Sequence, residues 1–142
     1  MNSNTKDTHY KWPADLKKTK SRVNILFILE NSQAPISAMD IYSQLEKNKE
    51  TVWLSTVYRV LETFVEKGMI IKNTVLNNEM VLYEINHFDH KHYAICLGCH
   101  KMVTMENCPM DQFHPQFDDN SFHVLDHKVE VYGYCKDCDR VK

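Results

Sequence analysis

Two Cys-x-x-Cys pairs, Cys96–Cys99 and Cys135–Cys138, are the residues of this chain most clearly equipped for chemistry. Four thiolates satisfy a tetrahedral Zn2+ at about 2.3 Å and leave no coordination position open. Such a site is structural, and it would pin the first strand of its unit to the end of the chain. Cys108 is the odd one out: before Pro109 it reads equally as a small buried apolar residue or as a ligand. The histidines form a second group, His87-x-x-His90-x-His92, just upstream of Cys96. On a strand His90 and His92 project to the same face, which suits two imidazoles on one metal. Glu84, Asp89, Asp111 and His127 are further candidate ligands. A mixed His/carboxylate set suits Zn2+, Fe2+, Mn2+ or Ni2+. His9, His114 and His123 have no supporting neighbours and read as ordinary surface residues.

The same residues speak against catalysis. A four-cysteine set is closed, whereas a zinc hydrolase or deaminase needs an open position and a general base. Neither HExxH nor H-x-E with PCxxC is present. The expectation is therefore no enzyme and no small-molecule substrate. The longest apolar run, Ile25 to Leu29, is far short of the roughly 20 residues of a membrane span. MNSNTKDTHYKW has no apolar core of a secretory signal, and an odd cysteine count fits a reducing compartment. A cytoplasmic protein without membrane contact is expected.

The metal-competent residues crowd into the end of the chain, which holds all five Cys and seven of the eight His from His87 onward. The expected division is 1–86, with 1–16 as an N-terminal extension anchored by Trp12-Pro13, and 87–142 as a metal-binding unit. In the first unit, apolar residues recur at helical spacing from Val23 through Leu26 and Phe27, and Pro35 closes that segment. Ser37-Ala38-Met39-Asp40 has the form of a capping box before a second helix carrying Ile41, Tyr42 and Leu45. Val57, Val60, Leu61, Phe64 and Val65 follow the template of a half-buried helix. Ser55 or Thr56 is expected to cap its start, and Gly68 to end it. Met69–Ile71 and Val81–Ile85 read as strands joined through Asn77-Asn78. Three helices and a hairpin outline a winged helix-turn-helix. In the second unit, 92–97 and 101–105 read as strands, 111–117 as a short helix and 123–134 as a long strand.

Net charge is −2, which at first argues against nucleic acid. The charge is uneven, however. Residues 1–22 carry six basic and two acidic side chains, while 23–86 and 87–142 each sum to −3. Lys17, Lys20 and Arg22 thus offer a phosphate clamp beside the first helix. Ser55, Thr56, Tyr58 and Arg59 stand at the start of the third helix, where a recognition helix reaches base edges.

Ser55-Thr56-Val57-Tyr58-Arg59-Val60-Leu61, Val65-x-x-Gly68, the His87–His92 segment, Cys96-x-x-Cys99 and His127 through Tyr132-Gly133-Tyr134-Cys135-x-x-Cys138 occur in one order and spacing. In that arrangement the chain, over about 17 to 140, resembles the ferric uptake regulator family of bacterial metal-sensing repressors. The resemblance implies an α+β protein: an N-terminal winged helix, then a small C-terminal α/β dimerisation domain with zinc on Cys96, Cys99, Cys135 and Cys138. It implies a homodimer on a palindromic double-stranded DNA operator. Glu84, His90 and His92 match the family's regulatory carboxylate and His-x-His, and Asp111 and His127 match a second site. A regulatory divalent metal, zinc ahead of Fe2+ or Mn2+, is then expected to tie Glu84 to His90 and His92 and set DNA affinity. A peroxide-sensing member would use a histidine before the second helix and a carboxylate after the first CxxC strand. Ala34-Pro35-Ile36 and Thr104 stand there instead, and Asn107 to Asp111 looks like zinc-responsive members. A zinc-uptake-type repressor is thus the expectation, with an iron-responsive or peroxide-sensing member as alternative. A zinc-ribbon adaptor that binds only protein is the rival of another class.

Overall fold

The computed structural model describes residues 11–77, 79–86, 91–109 and 115–139. The chain divides into two compact units, Met1–His87 and Phe88–Lys142.

In the first unit, α1 spans Lys20–Glu30, α2 Ala38–Lys47 and α3 Leu54–Glu66. Thr19 caps α1, its Oγ1 accepting from the Arg22 N–H at 3.3 Å. Ile25, Leu26, Ile28 and Leu29 of α1 are buried, so this helix is enclosed on more than one side. Ser37 caps α2, its Oγ accepting from the Asp40 N–H at 3.1 Å, which is the serine half of the expected capping box. The three helices pack on one another through a core that includes Ile41, Leu45, Val57, Leu61 and Phe64. Trp12 meets Phe64 edge-on at 5.9 Å and donates its indole N–H to the Leu16 carbonyl at 2.6 Å. The stretch before α1 is thereby fastened to the core.

Helix α3 ends in a Schellman motif. Met69 N–H donates to the Phe64 carbonyl at 2.9 Å and Gly68 N–H to the Val65 carbonyl at 3.0 Å. Gly68 has φ +72°, the left-handed conformation that glycine adopts without penalty. The start of α3 differs from expectation. Neither Ser55 nor Thr56 caps it; Trp53 is the N-cap residue and makes no side-chain cap bond. Ser55 and Thr56 already lie inside the first turn, past the position from which a hydroxyl can cap.

Strands β1 (Ile70–Val75) and β2 (Met80–Ile85) form the antiparallel hairpin, from Ile70↔Ile85 to Val75↔Met80. Leu76 and Asn77 take positive φ in the connection. Ile36 adds one rung on the other side of β2, exchanging hydrogen bonds of 2.9 and 2.7 Å with Tyr83.

In the second unit, β3 (Tyr93–Cys96) is central, β4 (Met102–Thr104) pairs with it antiparallel, and β5 (Glu130–Gly133) pairs with it parallel. The expected long strand over 123–134 is thus cut to four residues. β5 is matched rung for rung to the four residues of β3, and nothing among the described residues continues the ladder upstream. Val124 and Leu125 are exposed instead. Of the helix expected over 111–117, residues 111–114 lie outside the described set and 115–117 are not helical.

Candidate metal centres and nucleic-acid face

The parallel pairing of β3 with β5 builds the first candidate metal centre. Parallel strands end on the same side, so Cys96 at the end of β3 faces Gly133 at the end of β5. Cys135 and Cys138 follow two and five residues later, and Cys99 follows on the β3–β4 turn. The four sulfurs lie within 4.8 Å of one another. Four sulfurs around a zinc at about 2.3 Å stand about 3.8 Å apart. Cys99 Sγ and Cys135 Sγ are 3.7 Å apart, so the donor set fits that ion.

The thiols are electrostatically unequal. Backbone N–H groups of Cys135, at 3.3 Å, and of Cys99, at 3.5 Å, point at Cys96 Sγ. They favour its thiolate and bring its pKa down to about 6. Cys138, crowded by the sulfurs of Cys135, Cys96 and Cys99, is pushed up to about 12. Each added thiolate repels the next, and a bound dication is what lets all four ionise together.

Gly98 sits in the first Cys-x-x-Cys turn because a side chain does not fit there. A Cβ would lie 2.9 Å from both Cβ and Sγ of Cys138. Gly98→Ala is expected to displace Cys138, at a cost of about 1–3 kcal/mol. A Cβ at Gly133 meets nothing within 4 Å, so Gly133→Ala serves as the control. Zinc transfer to a coloured chelator should be faster from Gly98→Ala; equal rates in the two variants would contradict this packing role.

A second cluster of side chains that could hold a metal, His92, Cys108 and His127, forms at the opposite end of the same sheet. His92 directly precedes β3 and is buried. In sequence, His92 and His127 match two different sites; the fold brings them into one. Cys108, open between two readings in sequence, stands 3.3 Å from both imidazoles. Its only sequence signal is a cysteine outside both pairs in a histidine-rich stretch. His87, Asp89, His90 and Asp111 fall outside the described residues. Among the described residues Glu84 joins neither cluster. It lies on β2, where its carboxylate accepts from Asn73 Nδ2 at 3.1 Å.

The first unit carries a polar face opposite its core. Val57, Val60, Leu61 and Phe64 point inward from α3, while Ser55, Tyr58 and Arg59 are exposed. Arg22, Thr56 and Arg59 line one open groove between the start of α1 and α3. Arg22 is held there by Nη1 donating to the Lys17 carbonyl at 2.7 Å. Lys20 pairs with Glu50 at 3.4 Å, and Lys17 is exposed. Trp53, which no sequence pattern singles out, is 80% exposed immediately before α3. Among the described residues no helix is long and apolar enough to cross a membrane.

Comparison with known proteins agrees with this architecture. Residues 13–132 match the model of the ferric uptake regulator family. The ferric uptake regulation protein of Staphylococcus epidermidis is 33% identical over 126 residues, 88% of each chain. That of Neisseria meningitidis is 28% identical over 125 residues, 87% of this chain and 86% of the other. The structure of the ferric uptake regulator from Francisella tularensis with iron superposes with a TM-score of 0.80 at 30% identity, covering 91% of this chain and 98% of that one. The chain therefore belongs to the ferric uptake regulator family of metal-responsive, DNA-binding transcription regulators.

Proposed function

We propose that this protein is a homodimeric repressor of metal-uptake genes, zinc-responsive, that reads a palindromic operator. The observation that carries the DNA reading is α3: one face buried through Val57, Val60, Leu61 and Phe64, the other presenting Ser55, Tyr58 and Arg59 beside Arg22 and Thr56. Arg59 can donate bidentately to a guanine edge, and Arg22, Lys17 and Lys20 can neutralise phosphates. The missing side-chain cap leaves the first N–H groups of α3 able to meet a phosphate oxygen.

Zinc on Cys96, Cys99, Cys135 and Cys138 holds the second unit together. Metal at the regulatory ligands supplies positive charge and cross-links, and it raises DNA affinity only as far as it favours the DNA-binding form. Glu84, His87, Asp89, His90 and Asp111 are proposed to contribute to regulatory sites along with His92 and His127. The dimer reading is supported by apolar side chains that the second unit leaves in water. Leu125 is 96% exposed, Phe122 59% and Tyr134 53%. A second copy covering them would remove that exposure. An iron-responsive repressor is the second reading, favoured by the likeness to the Francisella tularensis regulator with iron.

Fluorescence anisotropy with a duplex selected by the metal-loaded protein tests the DNA reading. The observed constant should fall linearly with salt on logarithmic axes, with a slope of about −0.9 per phosphate contact. A protein-only adaptor would show no such binding.

A further inference from the structure

The triad of His92, Cys108 and His127 has a geometry that hydrogen bonding does not explain. His92 Nε2 and His127 Nε2 are 3.1 Å apart, and Cys108 Sγ is 3.3 Å from each. The three donor atoms form a nearly equilateral triangle. An imidazole N–H lies in the plane of its ring and points outward in one direction, so it can be aimed at one corner but not at two. Three mutual contacts therefore outnumber the well-aligned hydrogen bonds available to this triangle. Three potential donor atoms within 3.3 Å of one another is an arrangement that suits a cation. Zinc bonds of about 2.05 Å to nitrogen and about 2.3 Å to sulfur, at tetrahedral angles, set N···N at about 3.3 Å and N···S at about 3.6 Å. The triangle needs to open by only a few tenths of an ångström.

The sheet explains why these residues meet. The rungs Tyr93↔Thr104 and Tyr93↔Glu130 put the exit of β4 and the entry of β5 on either side of the start of β3. His92 precedes that start, Cys108 follows the exit of β4, and His127 precedes the entry of β5. Met105 N–H donates to the His92 carbonyl at 2.9 Å, so the backbone that carries His92 is fixed by the ladder. His92 itself is only 6% exposed, which keeps its imidazole from competing water.

We propose that His92, Cys108 and His127 form a second metal centre with two nitrogens and one thiolate sulfur, selective for borderline-soft divalent cations such as Zn2+ and Co2+. A carboxylate in place of the thiolate would suit Mn2+ and Fe2+; sulfur shifts preference away from those harder ions. The proposal deepens the metal-responsive reading by naming the donor set, yet it stands on geometry in the second unit alone.

The test uses the full-length protein retaining one zinc per protomer, with Co2+ alone as the probe. Co2+ should bind at one equivalent, releasing no zinc, with a sulfur-to-cobalt charge-transfer band in the near ultraviolet. In Cys108→Ser the band should vanish and Co2+ affinity fall by more than the roughly 10–100-fold that loss of an outer-shell partner costs. His127→Ala should weaken Co2+ binding while any residual binding keeps its sulfur band. Each variant must retain its one zinc, which shows that the second unit is folded. Co2+ binding without the band, a band unchanged in Cys108→Ser, or no binding would each overturn the proposal. DNA anisotropy separates it from the regulator reading. Metal-dependent DNA binding without the band sinks only the thiolate; the band without DNA binding sinks only the regulator.

Discussion

Cys135→Ser should abolish tight zinc binding and unfold the second unit while leaving the first folded. The reason is the small core of that unit. Among its described residues the buried apolar side chains are Tyr93, Ile95 and Cys96. At about 1.5–3 kcal/mol for a fully buried large side chain, these do not offset the entropy of ordering the chain. Structural zinc in small domains supplies about 10–16 kcal/mol of apparent binding free energy, and that energy becomes folding energy. Losing that thiolate also removes the sulfur that meets Cys99 Sγ at 3.7 Å across the parallel junction. The first unit has its own core, in which Ile25, Leu26, Ile41, Leu45, Val57, Leu61 and Phe64 are fully buried. Amide spectra should therefore show dispersed signals for the helices and collapsed signals for 91–139. Retention of dispersed second-unit signals in zinc-free Cys135→Ser would contradict a structural role for the metal.

Arg59→Ala should cost most among the substitutions on the DNA face. Arg59 is exposed, on the first turns of α3, and its loss leaves Val57, Val60 and Phe64 packed as before. A bidentate arginine–guanine contact is worth about 1–3 kcal/mol of discrimination, and a dimer on a palindrome makes it twice. The expected result is a loss of about 30-fold or more in affinity for the selected duplex, with unchanged melting of the first unit. Lys17→Ala should act differently, weakening binding to all sequences and reducing the salt slope by about 1. If Arg59→Ala binds the selected duplex as tightly as the parent chain, α3 is not the reading helix.

What could be read from the sequence was local. Ser37 and Asp40 are three residues apart, and Val57 to Phe64 lie within two turns, so the Ser37 cap and the buried face of α3 follow from short-range spacing. Gly68 likewise marks a helix end that the backbone adopts within a few residues. The four-cysteine set was legible because its spacing repeats. The failures were those of partner choice. Residues 123–134 are rich in strand-formers, but strand length is set by β3, a partner far away in sequence, and β3 offers only four rungs. The start of α3 misled because Ser55 and Thr56 are good caps placed a few residues too late. Cys108 could not be assigned because its meeting with His92 and His127 depends on the pairing of both β4 and β5 with β3, which no periodicity encodes.

The most direct measurement of a metal-responsive DNA binder is the affinity for the selected duplex as a function of buffered free Zn2+, in protein that keeps its one structural zinc throughout. The affinity should rise by about 5–150-fold, the usual range of a coupling of about 1–3 kcal/mol, as the weaker site fills. The same Zn2+ dependence should be lost in a variant that no longer binds the second ion. An affinity that stays constant while the weaker site goes from empty to full would contradict it.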